Sequence, residues 1–214
     1  MSLIVIWILI ACALSSCTSI TTPDQQSLTL PQISPETTID DCLKTLDRLH
    51  VNYERVKDWT TPEGCGIKQT VRINHSAIEW NHRTLMSCHL ATIVWDFETK
   101  IVQPAAQRNL GQRVRKMSNA GSYNCRGKIG GRLNQLSQHS FGLALDVTEF
   151  ELNNGVNISV LNDWNNKGAK GAFLHEVAKG ACKIFNVVIT PNRNLEHRDH
   201  IHLDIGSSYK ICGY

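Results

Sequence analysis

Six cysteines spread from Cys42 to Cys212, with no two in a CxxC-type pair, constrain this chain more than any other feature. Thiolate zinc sites want closely spaced ligand pairs, so this spacing disfavours a zinc site made of cysteines. An even count in an oxidising compartment instead predicts three disulfides. Sequence neighbours are the expected partners: Cys42 with Cys65, Cys88 with Cys125, and Cys182 with Cys212. The last pair would clip the final residues onto a helix. A free catalytic cysteine is disfavoured, because the count is even and only Cys88 has a histidine beside it.

The N-terminus supplies the compartment. Leu3 to Leu14 is an unbroken apolar run with Cys12 inside it. It is too short to span a bilayer and the right length for the core of a signal peptide, although no Lys or Arg precedes it. Leu14-Ser15-Ser16-Cys17 follows and resembles the lipobox of bacterial lipoproteins. The resemblance implies cleavage before Cys17 and acylation of its thiol, which anchors a protein to a membrane surface without spanning it. An ordinary cleaved signal that leaves Cys17 as a thiol is the alternative. Thr18 stands where Asp would argue against the outer of two membranes. Residues 18–36 are rich in Ser, Thr, Gln and Pro and read as a flexible tether. The expected organisation is a signal peptide (1–16), a lipidated tether (17–36) and one folded domain (37–214), located in the periplasm and anchored at the outer membrane.

Within that domain, Thr38-Ile39-Asp40-Asp41 opens an amphipathic helix, with Leu43, Leu46 and Leu49 on one side. β-like segments follow at Val51–Val56 and Ile67–Ile73, around a turn holding Pro62, Gly64 and Gly66. A second helix starts near Ser87 and runs toward Leu110, with Pro104 as a candidate kink, and a third covers Gly171–Phe185. Further β-like stretches lie at Val114–Ser118, Leu143–Thr148, Asn186–Thr190 and His200–Ile205. Helices and strands that do not alternate predict an α+β fold with a central antiparallel sheet flanked by helices.

Two short segments carry chemistry. In His197-Arg198-Asp199-His200-Ile201-His202-Leu203-Asp204, the apolar residues alternate with His200, His202 and Asp204. On a strand, both histidines then share the face away from the core. In Ser137-Gln138-His139-Ser140-Phe141-Gly142-Leu143-Ala144-Leu145-Asp146, small residues lead to a carboxylate on the corresponding face. Two imidazoles and one carboxylate suit Zn²⁺ and leave the fourth tetrahedral position free. A cupin-type site also uses His-x-His but needs a further ligand well downstream, and no histidine follows His202. His50, His75, His82, His89 and His175 are read as structural or solvated.

The pattern SxHxxGxAxDV with a late DHxH resembles the zinc peptidase superfamily of lysostaphin-type enzymes, D-alanyl-D-alanine peptidases and hedgehog domains. More closely, residues from about Thr37 to Gly213 resemble the bacterial extensin-like C-terminal domain family. The landmarks are Gly64-Cys65-Gly66-Ile67, Val102-Gln103-Pro104-Ala105-Ala106, Gly121-Ser122-Tyr123-Asn124-Cys125-Arg126, Gly131-Arg132-Leu133 and Asp199-His200-Ile201-His202-Leu203-Asp204. The resemblance implies a hedgehog/D-alanyl-D-alanine peptidase-like fold with His139, Asp146 and His202 as zinc ligands. It places His200 where related murein endopeptidases carry a catalytic histidine, and His197 at another site histidine. Asp199 falls where the dipeptidases carry a Glu base, one methylene longer, so His200 is the preferred proton-transfer group. Arg126 matches an arginine that grips a substrate carboxylate, with a plain surface arginine as the alternative. Ser137 either contacts substrate or, the favoured reading, caps the turn before His139.

The expected function is zinc-dependent hydrolysis of peptide bonds in peptidoglycan stem peptides or cross-links, by a monomer. A zinc-containing but non-catalytic envelope-binding module is the alternative. A disulfide-stapled structural lipoprotein would leave the His/Asp convergence unexplained. A net charge of +3 is too mild for nucleic-acid binding.

Overall fold

The computed structural model describes residues 37–130 and 135–213. The expected signal peptide, Cys17, the tether and the Gly131-Arg132-Leu133 landmark lie outside them. Helix α1 (Ile39–Arg48) begins where the sequence indicates: Thr38 caps it by accepting the Asp41 N–H, and Asp40 and Asp41 occupy the first turn. Strands β1 (Asn52–Arg55), β2 (Thr70–His75), β3 (Glu79–Trp80) and β4 (Thr84–Ser87) follow. Ser87 caps α2 (Cys88–Phe97) through the Leu90 N–H at 3.1 Å.

The helix continues as a π-helical turn (Glu98–Val102) into α3 (Gln103–Leu110). The Gln103 N–H reaches back to the Glu98 carbonyl, one residue further than in an α-helix. Pro104 has no N–H to give its own i−4 carbonyl, and the wider turn just before it accommodates that loss.

Next come β5 (Val114–Gly121), a 3-10 turn (Gln138–Phe141), β6 (Ala144–Leu152), β7 (Asn157–Ser159), α4 (Val160–Asp163) and α5 (Ala169–Ala181). The chain ends with β8 (Val187–Ile189), a 3-10 turn (Leu195–His197), β9 (Ile201–Asp204) and β10 (Ile211–Gly213). Every expected helix and strand is present, in an α+β arrangement. The additional elements are mostly two to four residues long, too short to show a period. No helix among the described residues is long and apolar enough to cross a membrane.

A small sheet has the order β1-β2-β4. The larger has the order β10-β8-β9-β6-β5-β3, with β7 also on β6. Its centre is antiparallel as expected, but the two outermost pairs, β10 with β8 and β3 with β5, are parallel. Leu145, Val147, Ile201 and Leu203 enter the core with Phe97, Phe150, Phe173 and Phe185. Edge-to-face pairs lock this layer, Phe97 with Phe185 and Phe150 with Phe173. The other face of β6 and β9 remains available for a site.

All six cysteines form disulfides, but neighbour pairing holds only for Cys182–Cys212. Cys42 pairs with Cys88 and Cys65 with Cys125. The reason is tertiary. Helix α1 lies on α2, so Cys42 meets the residue that opens α2, at a Cα separation of 6.2 Å. The segment holding Cys65 is instead drawn to the other side: the Gly66 N–H donates to the Ser140 carbonyl, and Trp59 packs edge-on against Tyr123 at 5.2 Å.

Candidate metal centre

Strand register builds the site. Gly121 of β5 faces Asp146 of β6, Asp146 faces His202 of β9, and His202 faces Ile189 of β8. Directly paired residues share a sheet face, so this row brings the Asp146 carboxylate against the His202 ring. His139 comes from outside the sheet, on the 3-10 turn before β6. Ser137 caps that turn through the His139 N–H at 3.3 Å, as the sequence reading favoured. Gly142 ends it with φ 61°, and a Cβ there would lie 2.7 Å from Cδ1 of Ile67. Both the dihedral and the close approach favour glycine.

His139, Asp146 and His202 converge, with their donor atoms within 4.8 Å of one another. His139 Nε2 lies 3.1 Å from His202 Nδ1 and 3.2 Å from Asp146 Oδ2, and His202 Nδ1 lies 2.9 Å from Asp146 Oδ1. Ligands about 2.05 Å from a tetrahedral zinc stand roughly 3.3 Å apart, so this triangle is close to the size the ion needs. The second ring nitrogen of His139 is committed: Nδ1 donates to the Ser122 carbonyl at 2.7 Å. That fixes the tautomer with the Nε2 lone pair facing inward, a common arrangement for metal-ligating histidines. Burial alone would raise the Asp146 carboxyl, but the His139 and His202 rings beside it outweigh burial and hold the group well below the usual carboxylate range. An ionised carboxylate against two imidazoles could hold a metal ion.

The remaining expected site residues stand around this triangle. His200 points Nε2 toward Asp146 Oδ1 at 3.6 Å, and its Nδ1 pairs with Asp199 Oδ1 at 2.9 Å. Asp199, considered as a base in its own right, therefore acts on His200 rather than on the triangle. The ring of His197 lies 4.9 Å from that of His200 and 5.7 Å from that of His202. Burial, with the neighbouring His200 and His202, pushes His197 down to about 4, and its Nδ1 donates to Asn194 Oδ1. Arg126 and Ser137 line a cleft of about 400 Å³ shared with His197 and His202. The arrangement can hold a cation on one side of the cleft and move a proton beside it.

Four contributing residues went unassigned in the sequence. Ser122 supplies the carbonyl that orients His139, and it sits in the Gly-Ser-Tyr-Asn-Cys landmark that pointed to it without giving a role. Asn194 holds His197. Lys128 and Tyr209 meet across the mouth of the cleft by a hydrogen bond and a cation–π contact at 4.8 Å. No local pattern marks that pair, which is 81 residues apart.

An α+β domain with a His₂Asp cluster on one face of its central sheet defines a protein with a candidate metal centre. The chain belongs to the family described as Extensin-like protein C-terminus, whose sequence profile matches residues 40–213. No curated protein and no solved structure matches it.

Proposed function

We propose that this protein is a zinc-dependent peptidase that cleaves peptide bonds in peptidoglycan stem peptides or their cross-links, after export and lipid anchoring at Cys17. The observation that carries the reading is the pairing of a His₂Asp cluster with a separate, carboxylate-held histidine. A purely structural metal site needs no such group.

A zinc ion held by His139, Asp146 and His202 would supply Lewis acidity toward a peptide carbonyl and the attacking water. His200, held by Asp199, would accept a proton from the attacking water and return it to the leaving amine. Asp199 orients the His200 ring and stabilises its protonated form, the division of labour expected of a base and its orienting carboxylate. His197, neutral at pH 7, adds no competing positive charge beside the cation. Arg126 and Ser137 stand on the cleft wall, where Arg126 is suited to a substrate carboxylate.

The test is incubation of zinc-loaded protein with purified peptidoglycan fragments, with products resolved by mass. Defined cleavage that disappears in His200→Ala supports the reading. A protein that binds zinc and peptidoglycan yet releases no product is the non-catalytic module instead.

A further inference from the structure

The cleft beside the candidate metal centre is cationic, and its two described arginines have no carboxylate partner. Its floor continues the sheet face away from the triangle. Val187 of β8 stands between Asp204 of β9 and Ile211 of β10 in one register row, and Ile189 stands beside His202 in the next. One wall is the segment carrying Arg126 and Lys128, held by the Gly127–Leu136 bridge. The other follows β8, where the Arg193 N–H closes a turn onto the Thr190 carbonyl at 2.9 Å. Arg126, Lys128 and Arg193 all line the space.

Elsewhere Arg55, Arg72, Arg108 and Arg115 are paired with carboxylates, while Arg48, Arg83, Arg113 and Arg198 have no such partner among the described residues but lie outside this cleft. Among the described residues, no carboxylate pairs with Arg126 or Arg193. Lys128 is engaged by Tyr209 at the mouth. Asp204 is the sole carboxylate among the described lining residues, and it is occupied within its own turn. Its Oδ1 accepts the Gly206 and Ser207 N–H groups at 2.6 and 3.0 Å, and its Oδ2 accepts the Ser207 hydroxyl at 2.6 Å. It therefore has little capacity left to neutralise a guanidinium.

We propose that Arg193, together with Arg126 in the same cleft, binds a free carboxylate of the substrate peptide and makes the protein select carboxylate-bearing over amidated peptides. The proposal rests on the peptidase reading for the orientation of the peptide. Two guanidiniums lining one cleft can take a carboxylate by charge-assisted, bidentate hydrogen bonds, which a neutral amide cannot reproduce. The apolar floor of Val187, Ile189 and Ile211 favours a peptide, whose aliphatic side chains can cover it, over a polyphosphate.

The experiment is calorimetric titration of zinc-dialysed protein carrying His200→Ala, which keeps the peptide intact. The probes are an N-acetylated stem peptide with free carboxylates and the same peptide fully amidated. The expected preference for the free peptide is about tenfold or more, typical of one charged hydrogen-bonded contact. Arg193→Ala and Arg126→Ala should each cut the preference at least about threefold, with partial recovery in Arg193→Lys. Arg113→Ala, at a separate pocket, should leave it unchanged. Equal binding of the two peptides, binding of neither, or a preference that survives both arginine variants overturns the proposal. Cleavage by the unsubstituted protein without carboxylate preference sinks this inference alone. Selective binding without cleavage sinks the peptidase reading alone.

Discussion

His139 Nε2 and His202 Nδ1 face each other at 3.1 Å, with the Asp146 carboxylate against both. Because His139 Nδ1 already donates to Ser122, its Nε2 has no proton in the neutral ring. Two nitrogens and a carboxylate brought this close need a proton or a cation between them, and the three groups could hold a metal ion.

The first consequence concerns metal content. His139→Ala, Asp146→Ala and His202→Ala should each lose most bound zinc, while His200→Ala keeps about one per chain and loses activity. Elemental analysis after dialysis checks this. Zinc retained in the His202 variant and lost in the His200 variant would reverse the assignment of ligand and proton carrier.

Gly142→Ala should lower stability by roughly 1–3 kcal/mol through the positive φ and the approach to Ile67. Because Gly142 ends the turn that presents His139, zinc affinity should fall as well. Thermal unfolding and zinc titration would read the two effects. Unchanged zinc affinity alongside a lowered midpoint would mean that the turn can shift without moving the imidazole.

Removing Cys42 and Cys88 together as serines should destabilise the domain by about 4 kcal/mol, the loop-entropy value for a 46-residue separation. Metal binding should persist at low temperature, since that bridge joins α1 to α2. Removing Cys65 and Cys125 should also weaken zinc binding, because Cys125 lies in the segment whose Ser122 orients His139. Denaturant titration with and without zinc distinguishes the two pairs.

Glu98 gives a pH dependence of stability. It is fully buried, accepting the Ala77 N–H and the Trp80 indole N–H, and burial pushes its carboxyl up to about 7. The folded state then holds the proton more tightly than the unfolded state. The favourable contribution is complete below the ordinary value of about 4.5 and declines as pH rises to about 7, a span of about 3 kcal/mol. Wild-type stability relative to Glu98→Gln should fall by that amount across this window. Parallel curves for the two proteins would show that the carboxyl does not titrate there.

Much of this was legible in sequence because the signals are periodic or local. Alternation of Ile201, Leu203 and Ile205 with His200, His202 and Asp204 announced which face of β9 meets the core and which presents the histidines. Thr38 and Ser87 announced two helix starts, and each caps its helix. The disulfides were different, because the partner of Cys65 depends on how the Trp59–Ile67 segment crosses to Tyr123 and Ser140, which no local pattern encodes. Arg193 was invisible for the same reason: it meets the cleft through a turn after β8, in a stretch whose residues resemble any exposed loop. The parallel edge strand β10 has three residues, too few to display a period.

The spacing of the triangle has a kinetic meaning. His139 and His202 are 63 residues apart in the chain, and Asp146 and His202 are 56 apart. Contacts of such separation form only after a long stretch has closed, so they belong to the slow part of acquiring the native state. An ion held by these three residues would therefore not template the protein as it templates a short finger. It would meet a chain already ordered and slow the reverse reaction, which would make metal capture a marker of chains that have finished folding.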